Sequence, residues 1–192
     1  MPDRPQFQSA IERFDALNAA DPHGKELTYA RRMTQWLEKL EPAASESLRL
    51  AARGQHLMRW KIPRESFPKD RAGYLRWRTT LYDFHADRAA EVLREGGYDD
   101  ATIARVRSLI RKENLKSDPE AQALEDVVCI VFLENYFAEF ARDHDEAKLI
   151  RIVQKTWKKM SPRGRAVGVT LAMAENEMKL IAKALSPSSS GG

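Results

Sequence analysis

Apolar residues recur at three- and four-residue spacing along most of the chain, a period that predicts a succession of amphipathic helices and no strand. Ile11, Phe14 and Leu17 mark the first helix, which Asp21-Pro22-His23-Gly24 breaks. Leu27, Ala30, Met33, Leu37 and Leu40 form one stripe of the second, which stops at Pro42. Ser45 or Ser47 caps a third helix that carries Leu48, Ala51 and Ala52 and holds Gln55-His56 near its end. The stretch 62–70 contains Pro63 and Pro68 and reads as a loop, with Asp70 as the N-cap of the fourth helix. Tyr74, Trp77, Leu81, Phe84 or His85, Arg88 and Val92 give that helix its period, and Gly96-Gly97 ends it.

Asp99-Asp100 caps a helix bearing Ile103, Val106 and Ile110, and Asp118-Pro119-Glu120 opens another with its proline in the first turn. That one runs through Leu124, Val127, Val128, Val131, Phe137 and Phe140, the most apolar stretch of the chain, and is expected to be central. Leu149, Ile150, Ile152, Val153 and Trp157 mark a further helix, and Ser161-Pro162 starts a last one carrying Leu171, Met178 and Ile181. The pattern predicts an all-α, compact single-domain helical bundle over residues 5–165, a C-terminal helix over 166–185 and a flexible tail over 186–192.

Composition supports this picture: 192 residues suit one core, and 43% hydrophobic with 31% charged residues supply both an interior and a wet surface. Cys129, the one cysteine, lies in the run Val127-Val128-Cys129-Ile130-Val131 and is expected to be a small core side chain. No apolar stretch approaches the roughly 18 residues of a membrane span. Met1-Pro2-Asp3-Arg4 lacks a signal peptide's apolar region, so the cytoplasm is the expected compartment and no membrane partner is expected.

Charge changes the picture more. The chain carries a net +4, yet Arg59, Lys61, Arg64, Lys69, Arg71, Arg76 and Arg78 face only Glu65 and Asp70 between positions 59 and 78. That segment has a surplus of five positive charges and the rest sums to about −1, so the positive field is local. Arg forks pair with phosphate oxygens, and Trp60, Tyr74 and Trp77 offer stacking surfaces for a base. The bland alternative for such a loop is a solvated edge.

His56 and His85 flank the basic segment, and Glu125-Asp126 interrupts the apolar run of the expected central helix. A buried carboxylate must be paired or bind a cation. One of the two, most simply Asp126, is therefore expected to point into a polar pocket. The alternatives are a salt bridge to Arg32, Arg53 or Arg88 and a metal site. Convergence of His56, His85 and Asp126 gives two imidazoles and a carboxylate, a set that suits zinc, manganese or iron with positions open for water. His23 and His144 lie in a turn and a charged link and are expected to face solvent.

Ala51-Ala52-Arg53-Gly54-Gln55-His56, then His85-Ala86-Asp87-Arg88-Ala89-Ala90-Glu91, then Leu124-Glu125-Asp126-Val127-Val128 resemble, in order, the metal-site helices of HD-domain phosphohydrolases. With Arg59-Trp60, Pro63-Arg64, Asp70-Arg71-Ala72-Gly73-Tyr74 and Trp77-Arg78 added, residues 5 to 165 resemble the domain of unknown function 4202 family. Tyr29 stands where the HD pattern has its first histidine, and Gln55-His56 where it has His-Asp.

The resemblance implies an HD-like fold and a metal-dependent phosphohydrolase or phosphodiesterase acting on a nucleotide or related phosphate-bearing small molecule. His56, His85 and Asp126 would hold the metal, and Glu125 would orient a ligand or act as base. Arg32, Gln55, Arg59, Trp60, Arg64, Arg71, Tyr74, Trp77 and Lys112 would hold the ligand. The rival expectations are a non-catalytic module that binds a nucleotide or an RNA end, and an interaction domain that docks through Leu171, Met173 and Met178.

Overall fold

Short polar side chains punctuate the chain. In the computed structural model, which describes residues 5–186, they satisfy the backbone N–H groups that each helix start leaves free. Ser45 accepts from Leu48 at 3.1 Å, Asp70 from Gly73 at 2.6 Å, Asp99 from Thr102 at 2.7 Å and Asp145 from Lys148 at 2.8 Å. Between such stops run α1 (Pro5–Ala19), α2 (Glu26–Leu40), α3 (Glu46–Gly54), α4 (Arg71–Glu95) and α5 (Asp100–Ile110). Then come α6 (Pro119–Asn135), α7 (Phe137–Arg142), α8 (Glu146–Lys159), α9 (Pro162–Gly168) and α10 (Glu175–Leu185). The fold is all-α, with no strand among the described residues.

The chain divides into two compact units after Leu124, inside α6. In the first, α3 packs against α1, α2, α4 and α5. Its small residues make this close approach feasible: a Cβ placed on Gly54 would touch Phe14, Ala89 and Ile110 at 3.5–3.6 Å. Leu48, Leu50, Ala51, Ala52 and Leu57 are fully buried, and each such leucine contributes roughly 1.5–3 kcal/mol of transfer free energy. Arg53 crosses this interior with Nε and Nη2 donating to Asp15 at 2.7 Å and Nη1 donating to the Thr34 hydroxyl at 3.0 Å, which together satisfy the buried guanidinium.

The first three turns of α4 stand out from the unit, with Gly73 the one buried residue between positions 71 and 80. A Cβ on Gly73 would lie 2.1 Å from the Pro68 carbonyl oxygen, so glycine lets the 62–70 loop close over the helix start.

In the second unit α8 packs against α10, and Gln154 Nε2 donates to the Ala184 carbonyl at 3.1 Å. Phe132 meets the edges of Phe137 and Phe140, each at 6.1 Å between centroids. Cys129 is buried there. Two expected helices are each broken in two. The apolar run stops at Asn135, whose Nδ2 turns back to the Val131 carbonyl at 3.3 Å, and α7 resumes after Tyr136. The last helix ends at Gly168, where a Cβ would lie 2.9 Å from the Trp157 ring, and α10 restarts at Glu175. His144 is half-buried rather than solvent-facing: it stacks on Phe140 at 4.0 Å. Of the expected tail, residues 187–192 lie outside the described residues, as do 1–4.

Candidate functional site

Asp21 fixes the first wall of the site. Its carboxylate accepts from the backbone of His23 at 3.0 Å, Lys25 at 2.8 Å and Glu26 at 3.1 Å. Burial alone would raise this carboxyl, but those N–H groups hold it below the usual range. The anchored turn starts α2 at Glu26, and one turn on stands Tyr29.

The second wall continues from α3. Gln55 caps that helix, and Met58 takes the left-handed backbone conformation (φ 55°) that a side chain adopts at a cost. Asn18 Oδ1 supports it by accepting the Met58 N–H at 3.0 Å. The sharp bend turns the chain into a short 3-10 segment, Arg59–Lys61, and so sets Arg59 beside His56.

His56 lies flat against Tyr29, with centroids 3.9 Å apart and planes within 10°. Its Nδ1 is 3.6 Å from Glu26 Oε2, and a quarter of its side chain is exposed. Burial pushes the imidazole well below its ordinary pKa, and the charges of Arg59, His85, Lys112 and Arg78 push it further. It is neutral at pH 7.

His85, on α4, sits 5.8 Å from His56 between centroids and is 1% exposed. Its Nδ1 lies 2.8 Å from the Leu57 carbonyl oxygen. A carbonyl can only accept, so Nδ1 carries the proton and Nε2 a lone pair. That Nε2 is buried with no hydrogen-bond partner among the described residues, as is Gln55 Oε1. Burial lowers the His85 pKa to about 3, against a smaller opposite effect of the Leu57 bond.

Three cations from three elements lower the pKa of His56 by their charge, and Arg59 lowers that of His85 as well. Arg59 covers the Trp77 ring at 4.8 Å, Arg78 on α4 bonds the Tyr82 and Tyr74 hydroxyls, and Lys112 comes just after α5 with its ammonium 5.7 Å from Tyr82. Lys112 is again left-handed, φ 59°. Glu26 answers this positive field: burial raises its pKa to about 7, with Arg59 pulling the other way.

Several expected ligand-holding groups are committed elsewhere. Arg64 donates to the carbonyls of Phe67 at 2.9 Å and Pro68 at 2.7 Å, and Trp77 Nε1 donates to Ile62 O at 2.9 Å. Both therefore brace the loop. Arg71 and Tyr74 are exposed on the protruding turns of α4, while Arg32 and Trp60 are half-buried.

Glu125 and Asp126 belong to the second unit. Glu125 is 2% exposed and pairs with Lys159 at 3.3 Å. Asp126 accepts the Ser161 N–H at 2.8 Å and the Ser161 hydroxyl, and Gly164 packs against its carboxyl group, where a Cβ would lie 2.6 Å from Cγ. Of the arginines weighed as salt-bridge partners, Arg53 pairs with Asp15 and Arg88 with Glu91. Among the described residues no three His, Cys, Asp or Glu side chains are grouped so as to hold a metal ion. The second unit also has an open groove of about 430 Å³ between α8 and α10, but its Lys179 and Lys183 are paired with Glu175 and Glu146.

Glu26 and Tyr82 were not singled out from the sequence, and Arg78 figured there only in the basic run and in Trp77-Arg78. An acidic residue at a helix start reads as ordinary compensation of the helix dipole, and nothing in the local pattern separates Glu26 from that role.

The first unit thus defines an all-α scaffold with two imidazoles 5.8 Å apart and three cations whose charge is felt at His56. The chain belongs to the family described as a domain of unknown function (DUF4202), whose model matches residues 8–181. No curated protein and no solved structure matches it. Among the described residues no helix is long and apolar enough to cross a membrane.

Proposed function

We propose that the first unit binds a phosphate-bearing ligand, a nucleotide or a related phosphate, and acts on it as a phosphohydrolase. What supports the reading is the positive field that Arg59, Arg78 and Lys112 make at His56, whose ring lies 5.8 Å from that of His85. Three like charges gathered at one place repel one another, and an anion relieves that repulsion. The reaction class comes from the resemblance to HD-domain phosphohydrolases carried by Gln55-His56, His85 and Glu125-Asp126. Arg59→Ala and Arg78→Ala should each weaken binding of ADP at least about tenfold, the loss of one charge-assisted pair of roughly 1.5–3 kcal/mol. Unchanged affinity in both would end this reading.

A second reading, a metal-dependent form of the same enzyme using zinc, manganese or iron, is favoured by His85. Its pinned Nδ1 and bare Nε2 are what an imidazole ligand needs. His56 would be the second nitrogen donor, and a third protein donor is still required. Such an ion would supply a polarised water at neutral pH. Elemental analysis of the purified full chain, wild type and His85→Ala, tests it: near-stoichiometric metal lost in the variant supports it, and no metal in either sinks it. A non-catalytic module for nucleotides or an RNA end predicts the same salt-weakened binding with no turnover.

A further inference from the structure

We propose that the exposed face of α8, in the second unit, is a nucleic-acid seat: a row of four cations that holds the phosphate backbone of a double helix. It draws on no residue of the first unit and goes beyond the small phosphate ligand read there.

From Lys148 to Ala174 the chain holds seven basic residues, Lys148, Arg151, Lys155, Lys158, Lys159, Arg163 and Arg165, and no acidic one. Against a whole-chain net of +4, all other residues sum to 4 − 7 = −3, so this stretch is a stronger local source of positive field than the segment 59–78.

The helix sorts these charges by face. At about 100° per residue, positions 148, 151, 155 and 158 fall within roughly 80° of one another. All four side chains there are exposed, while Leu149 and Val153 on the other side are buried and Ile152, Thr156 and Trp157 half-buried. Two of the seven cations are tied down within the unit: Lys159 pairs with Glu125 at 3.3 Å, and Arg165 Nε donates to the Trp157 carbonyl at 2.9 Å. Lys148, Arg151, Lys155 and Lys158 have no ion-pair partner among the described residues. Glu146 and Glu175, which could have answered them, are paired with Lys183 and Lys179. Four like charges in one row repel one another, and a polyanion laid along them relieves that repulsion.

Length and chemistry choose the partner. The rise from Lys148 to Lys158 is about 15 Å. One strand of a DNA duplex places about four phosphates along that distance, at roughly 3.4 Å of axis each. The row offers no ring for bases to stack on: Trp157, the one aromatic residue of α8, is half-buried, and a Cβ on Gly168 would lie 2.9 Å from its ring. The stacking platform that seats single strands is therefore missing. A helix that lies in a lipid surface buries an apolar face there, and the apolar face of α8 is turned into its own unit at Leu149 and Val153. What remains is contact with a phosphate backbone, which carries no reading of sequence.

The test is fluorescence anisotropy of the full chain with a labelled DNA duplex of arbitrary sequence. Its arms are the single strand of the same sequence, polyglutamate, and vesicles of phosphatidylserine. The duplex should bind best, and its affinity should fall on the order of 10²-fold between about 50 and 200 mM salt, the loss expected for four phosphates neutralised. Lys155→Gln should lower the log-log salt slope by about one, equally for every duplex sequence. The quadruple variant Lys148→Gln, Arg151→Gln, Lys155→Gln, Lys158→Gln should keep its circular dichroism and Tm, retain ADP binding, and lose the duplex. No duplex binding by the wild type at low salt, or duplex binding that survives in the quadruple variant, overturns the proposal and leaves the first unit's ligand untouched. Tighter binding of polyglutamate or of the vesicles, lost in the quadruple variant, overturns it as well and assigns the row to an acidic protein or a lipid surface.

Discussion

His85 donates its Nδ1 proton to the carbonyl oxygen of Leu57 across 2.8 Å, and this one bond ties α4 to the turn at the end of α3. It also fixes which imidazole nitrogen keeps its lone pair. Because Leu57 is the residue next after His56, the bond that orients one histidine also positions the backbone of the other.

The first prediction concerns that tie. Asparagine can place its Nδ2 near the position of Nδ1 and preserve the donor, so His85→Asn should lose less stability than His85→Leu. The leucine leaves a buried carbonyl without its donor, a cost of about 1–3 kcal/mol. Denaturant unfolding of the two variants measures the difference, and equal losses would show that the bond contributes nothing to stability.

The pH dependence of stability arises from two opposed groups. Between pH 6.5 and about 3 the unfolded chain protonates His85 while the folded chain does not, so stability falls as pH drops through that window. The slope is up to about 1.4 kcal/mol per pH unit. Glu26 runs the other way: between pH 4.5 and about 7 the folded chain keeps a proton that the unfolded chain has released, so stability falls as pH rises. Glu26→Gln deletes the second slope. Its stability should climb more steeply than that of the wild type from pH 4.5 to 7, and its Tm should be the higher of the two above pH 7. Parallel curves would show that Glu26 titrates like a surface carboxylate.

Asp126 accepts both hydrogen bonds of Ser161, the residue that caps α9. Asp126→Ala should cost about 1–3 kcal/mol by stranding the Ser161 N–H and hydroxyl, with phosphate binding by the first unit unchanged. Gly164→Ala should destabilise as well, since its methyl would meet the Asp126 carboxyl group. If Asp126→Ala instead kept full stability and lost a bound metal, the carboxylate would be a metal ligand and not a brace for α9.

Much of the fold was legible in the sequence because its stops are local chemistry. Ser45, Asp70, Asp99 and Ser161 each cap the helix their position announced. The breaks at Asn135 and Gly168 were not legible, since Gly168 is decided by the Trp157 ring packed against it, a residue eleven positions away. In the site, His56 and His85 stood out as the histidines flanking the basic segment. Glu26 did not, because what distinguishes it is burial beside His56, thirty residues on. The basic run was misleading in detail: Arg64 and Trp77 hold the loop together, while Arg59 and Arg78 from the run, with Lys112 from just after α5, are the cations whose charge reaches His56.

Gly73→Ala probes the loop that carries this basic run. The added methyl would sit 2.1 Å from the Pro68 carbonyl oxygen, so the loop must move. The variant should fold with a lowered Tm and a shifted Trp77 fluorescence, because Trp77 is bonded to Ile62 in the same loop. An unaltered Tm and spectrum would mean that the loop does not hold its place against α4.

The most direct measurement of the central claim is a calorimetric titration of the full chain with ADP and with inorganic phosphate, at low and at raised salt. Saturable binding that salt weakens and that the triple variant Arg59→Ala, Arg78→Ala, Lys112→Ala abolishes is the predicted result. No saturable binding of either probe, or binding that survives in the triple variant, would contradict it.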